Sequence, residues 1–150
     1  MGAVNGHDKI RIRCAELYGQ ICGFFMTEKG DFQMAIDREL WELFPIQVTE
    51  YKEHWKDWYR EERAFLSSFL PKGVRIYHIG STAIEGIWAK PIVDILVEAS
   101  IGEHEAIKEL LLKNDYLCMA QSKNRMDFNK GYTPKGFAKQ VFHLHLRKRL

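Results

Sequence analysis

The sequence lacks most of the features that declare a function outright. Its three cysteines, Cys14, Cys22 and Cys118, are odd in number and keep no metal-type spacing. That points away from a cysteine metal site or a disulfide framework and leaves reduced thiols as the expectation. No run approaches the roughly eighteen apolar residues of a membrane span. The N-terminus shows no charged region leading into an apolar one and a cleavage site, so a cytoplasmic location is expected. Excess charge is missing as well: 22 Lys and Arg stand against 20 Asp and Glu, a formal +2. Bulk electrostatics therefore favour neither a nucleic acid nor a membrane as partner. The chain also carries no internal repeat and no low-complexity stretch.

What is present fits one ordinary globular domain. At 150 residues, 46% hydrophobic and 28% charged, the chain is long enough to bury a core. Residues 1–45 read as an N-terminal extension, helical by the spacing of Cys14, Leu17, Tyr18, Ile21, Cys22 and Phe25 and again over 34–44, where Pro45 stops it. Glu28–Asp31 reads as a turn between them, and Ile46–Val48 as a short strand. Residues 52–70 give the best helix, with Trp55, Trp58, Tyr59, Glu62, Phe65, Leu66, Phe69 and Leu70 on one stripe. Trp41, Trp55, Trp58 and Phe65 read as core. A strand over 74–79 follows, then a Gly-Ser turn, a second strand from Pro91 to Val97, and a helix over 103–113 with acids first and Lys113 last. Beyond Tyr116 the pattern predicts strands, with 126–128 and 141–146 pairing around 131–136. The order implies an α+β fold, a mixed β-sheet with helices mainly on one face, in a domain of residues 46–150.

Four groups carry candidate chemistry. Gly80-Ser81-Thr82 is a turn whose N–H groups and hydroxyls suit a phosphate, or equally a plain turn with an N-cap. Asp94 lies inside an apolar strand, costly unless a metal or cation answers it; Lys90 or an arginine would do so in a purely structural role. His143 and His145 share one strand face opposite Phe142, Leu144 and Leu146, as metal ligands, an acid–base pair or a polar surface. His78, at the end of another strand, joins Asp94 and these two if the strands are neighbours. Arg125, Lys130 and Lys139 either hold an anion or form a solvated basic loop, and Arg147-Lys148-Arg149 reads as a basic tail.

The runs His78-Ile79-Gly80-Ser81-Thr82-Ala83 and Lys90-Pro91-Ile92-Val93-Asp94-Ile95, with Tyr51 and the Trp55 helix before them and His143-Leu144-His145 after, resemble the GrpB family over about residues 46–146. The resemblance implies a nucleotidyltransferase-like fold of the polymerase beta superfamily, in which a Gly-Ser turn precedes a strand with two acids and a later strand brings a third. Gly80 and Ser81 match the turn and Asp94 the first acid. Leu96 stands at the second acid, and His143 and His145 where the third is expected. The implied activity is metal-dependent transfer of a nucleotidyl group from an NTP to an acceptor. Gly80, Ser81 and Thr82 would hold phosphate, with Lys90 and Arg125 offsetting its charge. Mg2+ or another divalent metal would sit on Asp94 with His78, His143 and His145, and His143 or His145 would also move protons.

One carboxylate is a poor clamp for two metals. The resemblance therefore carries an alternative: a non-catalytic nucleotide- or CoA-related binding module, in keeping with family members fused to dephospho-CoA kinase. A third option is metal-dependent phosphoester hydrolysis through the histidines. In each case the partner is a nucleotide or a phosphorylated small molecule. Family members continue with helices after the His-x-His strand, so the domain is expected to be short at its C-terminus.

Overall fold

The computed structural model describes residues 47–133 and 136–150, with the backbone of 25–26 and 32–33. The chain divides into two units, Met1–Pro45 with Tyr132–Phe137, and Ile46–Gly131 with Ala138–Leu150. In the first, β1 (Phe25–Met26) pairs antiparallel with β2 (Phe32–Gln33). Phe25, expected at the end of a helix, is thus in a strand, because the ladder bonds extended backbone on both sides of the expected turn. That turn and the other helical expectations before Pro45 lie outside the described residues. In the same unit the Tyr132 and Phe137 rings meet edge to face at 5.1 Å, and the Thr133 hydroxyl donates to the Gly136 carbonyl at 2.7 Å.

The second unit is built on a five-stranded mixed sheet in the order β3-β4-β7-β6-β5. Its strands are β3 (Arg75–Ile79), β4 (Val93–Ala99), β5 (Leu117–Ser122), β6 (Arg125–Thr133) and β7 (Gly136–Lys148). β3 runs antiparallel to β4, β4 parallel to β7, and β5 antiparallel to β6. Helix α1 (His54–Phe69) precedes β3, and α2 (His104–Lys113) links β4 to β5. Of the strand expected over 46–48, Gln47 and Val48 are not in a strand and residue 46 lies outside the described residues; an isolated antiparallel bridge joins Thr49 to Ala89 instead. Among the described residues no helix is long and apolar enough to cross a membrane.

Local chemistry explains the boundaries. Leu70 closes α1 in extended backbone, as a residue before proline must, and Pro71 follows. Ser100 and Glu103 form a capping box, in which the Ser100 N–H donates to Glu103 Oε2 at 3.1 Å, just ahead of α2. Gly131 lies at φ +94°, where a Cβ would come within 2.4 Å of the Gln140 carbonyl oxygen. Only glycine lets β6 and β7 approach so closely there.

Both helices cover the same face of the sheet. Trp55 and Leu66 of α1 and Ile107 and Leu111 of α2 are buried against Val93, Ile95 and Val97 of β4, Phe142, Leu144 and Leu146 of β7, and Met126 and Phe128 of β6. Two expectations change here. Phe65, expected in the core, is 40% exposed. Lys130, expected in a basic loop, is under the helix: its Nζ donates to Glu62 Oε1 at 2.7 Å and lies over the Phe65 ring at 4.5 Å. Glu62 falls on the inward stripe of α1, so burial requires a cation, and Lys130 supplies it. The Tyr116 hydroxyl donates to the same oxygen at 2.7 Å, and burial pushes that phenol far up.

Removing only the lysine leaves Glu62 buried without its cation. Lys130→Met is expected to cost about 2–4 kcal/mol in urea unfolding, and adding Glu62→Gln should recover much of that loss. Lys139→Met, on an exposed position, should change stability by less than about 0.5 kcal/mol.

Candidate active site on the open face

The alternation that buries one side of each strand aims polar groups at the other. On β4, Val93, Ile95 and Val97 are fully buried, while Asp94, Leu96 and Glu98 are half-buried on the helix-free face. On β7, Phe142, Leu144 and Leu146 enter the core and His143, His145 and Arg147 stand opposite. Asp127 occupies the same face of β6, between buried Met126 and Phe128. The parallel register sets Asp94 beside His143 and Leu96 beside His145.

Asp94 Oδ1 is bonded to His145 Nε2 at 3.1 Å and lies 3.7 Å from His143 Nδ1. The other nitrogen of His145, Nδ1, meets Asp127 Oδ1 at 3.0 Å. That oxygen also accepts from Arg147 Nη2 at 2.8 Å, and Asp127 Oδ2 accepts from Arg125 Nε at 2.8 Å. His145 is therefore a bridge between two carboxylates.

The surroundings drive the two imidazoles apart. The hydrogen bond to Asp94 raises the His145 pKa above the usual histidine value, against desolvation and with help from Asp127. Burial lowers that of His143; Asp94 opposes this, while His145 and Lys90 reinforce it. For Asp127, burial works upward, but the hydrogen bonds from His145, Arg147 and Arg125 together hold it below the usual carboxylate range.

The turn after β3 completes this face. Ile79 is registered with Asp94, and Gly80 follows at φ +75° before a one-turn 3-10 helix, Ser81–Ala83. A Cβ on Gly80 would come within 2.7 Å of Asp94 Oδ2, so the glycine both permits the backbone conformation and makes room for the acid. Ser81 is exposed beside it.

Of the residues expected in the site, Gly80, Ser81, Asp94, His143 and His145 come together. Lys90 is exposed but near enough to His143 to lower its basicity. Arg125 joins through Asp127. His78 does not. It is registered with core residue Ile95, so it belongs to the helix-covered side, where its ring stacks on Tyr59 at 4.7 Å. Burial lowers its pKa, an effect that Asp94 partly offsets. Thr82, expected on phosphate, is fully buried with its hydroxyl 3.0 Å from His78 Nε2. Arg147, expected in a tail, is in β7.

Asp127 escaped the sequence reading although it carries the same signal as Asp94, one acid inside an alternating apolar strand. Arg147 had a signal too, two residues beyond His145 on the same strand face.

These residues do not fit a metal as they stand. Both ring nitrogens of His145 are committed to carboxylates, and Asp94 Oδ1 is committed to His145. Among the described residues, no three His, Cys, Asp or Glu side chains are arranged to hold an ion.

With the geometry established, comparison with known proteins is specific. The family described as GrpB protein matches residues 45–149. UPF0157 protein YqkA of Bacillus subtilis is 30% identical over 151 residues, covering 93% of this chain and 43% of that protein. Glutamate-rich protein GrpB of Alkalihalophilus pseudofirmus is 46% identical over 53 residues, 35% of this chain and 30% of its own. Among solved structures, the crystal structure of conserved protein GrpB from Enterococcus faecalis matches with a TM-score of 0.58 and 28% identity, over 68% of this chain and 61% of that one. The chain thus spans less than half the length of YqkA.

Two outcomes follow from the site geometry. Gly80→Ala should cost about 1–3 kcal/mol in urea unfolding and displace Asp94, visible as altered NMR shifts of His145. The pKa of His145 is raised on folding, so its pairing stabilises the fold fully below about pH 6.5 and ceases to do so as pH rises through the raised value. The stability lost in His145→Gln should therefore be larger near pH 5.5 than near pH 8.5, by denaturant titration at both.

Proposed function

Because the chain belongs to the GrpB family, we propose that the open face of its sheet binds the phosphates of a nucleotide or CoA-class molecule, as a binding or accessory module. The observation that carries this reading is Asp94 itself. It is the acid of β4 beside the Gly80 turn, Leu96 takes the next position on that face, and His145 already holds its Oδ1. Two-metal nucleotidyl transfer needs enough free carboxylate oxygens to hold one metal at the attacking oxygen and one at the leaving oxygen. Binding needs only cations and donors, and Ser81, Lys90, His143 and the Arg125–Arg147 pair offer them around the face.

A second reading is metal-dependent nucleotidyl transfer from an NTP to an acceptor. It draws on Gly80 packed against Asp94, the order of glycine turn and strand acid found in nucleotidyltransferase-like folds. It requires His145 to release Asp94 Oδ1, or the metal to be taken through Oδ2.

Calorimetry and thermal shift with ATP, CoA and pyrophosphate separate the two. A binding module should bind at least one of them without releasing pyrophosphate. Asp94→Asn should then preserve or tighten the affinity, since it removes a negative charge from beside the phosphates. Magnesium-dependent pyrophosphate release that Asp94→Asn abolishes would decide for transfer instead.

A further inference from the structure

From the way His145 is held, we infer that this histidine is the built-in cation of the site, fixed by Asp127 as a positioning residue, and that it keeps divalent ions off Asp94. The geometry is specific. A carboxylate only accepts hydrogen bonds when ionised, so an imidazole bonded to carboxylates through both nitrogens must carry a proton on each. His145 has such partners, Asp94 at 3.1 Å on Nε2 and Asp127 at 3.0 Å on Nδ1. The ring occupies the approach to Asp94 Oδ1 and brings one positive charge there.

Asp127 does not contact Asp94 through any hydrogen bond of its own; it acts through the ring. It is itself anchored by Arg147 at 2.8 Å and Arg125 at 2.8 Å, so it stays ionised and cannot turn away from Nδ1. The charged and titratable groups on this face around His145 are Asp94 and Glu98 on β4, Tyr77 on β3, Asp127 and Arg125 on β6, His143 and Arg147 on β7, and Lys90 before β4, which acts on His143. Three carboxylates then stand against the His145 imidazolium, two guanidinia and one ammonium. The balance is already positive with neutral His143, so a divalent ion reaching Asp94 Oδ1 has to displace His145 and adds charge where none is needed. The upward displacement of the His145 pKa agrees with this arrangement. The inference concerns the ligand-free protein and stands apart from whether the face binds a nucleotide.

The test uses the full chain and Mn2+ alone, with no nucleotide. Calorimetry and paramagnetic broadening of the Asp94, His143 and His145 NMR signals report where the ion goes. The wild type should show no selective broadening at Asp94, whereas His145→Gln should bind Mn2+ there at least about tenfold more tightly. Ring 15N shifts give an independent readout. In the wild type both nitrogens of His145 should be protonated at neutral pH, and Asp127→Asn should lower the pH at which the ring loses its proton. A wild type that takes Mn2+ at Asp94 within about threefold of His145→Gln would overturn the inference. So would a His145 ring that titrates identically with and without Asp127.

Discussion

Parallel pairing of β4 with β7 is the constraint on which the rest of this molecule depends. These strands lie far apart in sequence, and their register places Asp94 next to His143 and Leu96 next to His145. A shift of one residue would turn the two histidines into the core and Phe142, Leu144 and Leu146 into solvent. The hydrophobic alternation that buries these three side chains thereby fixes the chemistry of the opposite face. Core packing and site geometry are two consequences of one register.

The sheet answers its two carboxylate problems differently on its two faces. Under the helices, Glu62 is nearly dry and is satisfied by Lys130 and the Tyr116 hydroxyl, a closed arrangement with aromatic rings around the ammonium. On the open face, Asp94 and Asp127 share a histidine and remain partly in water. A lysine partner is a fixed charge at physiological pH, while an imidazole can give up its proton there. The buried pair therefore belongs to stability, and the open pair has the chemistry of a site.

GrpB membership and this geometry meet at the turn after β3. A Cβ on Gly80 would meet Asp94 Oδ2 at 2.7 Å, so no side chain fits between that turn and the acid. The residues around it separate by strand parity. Asp94 and Ile79 share the open face, whereas His78 shares the helix-covered side with Ile95 and is tied to Thr82 and Tyr59. A histidine one residue from the turn is thus structural, and histidines distant in sequence are the acid's neighbours.

Much was legible in the order of residues because it depends on local periodicity. The α1 stripe, the alternation of β4 and β7, the stop before Pro71 and the pairing of His143 with His145 on one face are consequences of 3.6- and 2-residue repeats, which any stretch of sequence displays by itself. The Gly80 turn and the resemblance to GrpB rest on equally local strings. Partnership is not local. That Asp94 bonds His145, that Asp127 and Arg147 stand behind it, that Lys130 belongs to Glu62, and that His78 is excluded were all decided by which strands became neighbours and in what register. The sequence determined which face each side chain would take; the tertiary structure alone decided what waited there, because strand pairing is chosen by the burial of the whole core and not by the residues of the site.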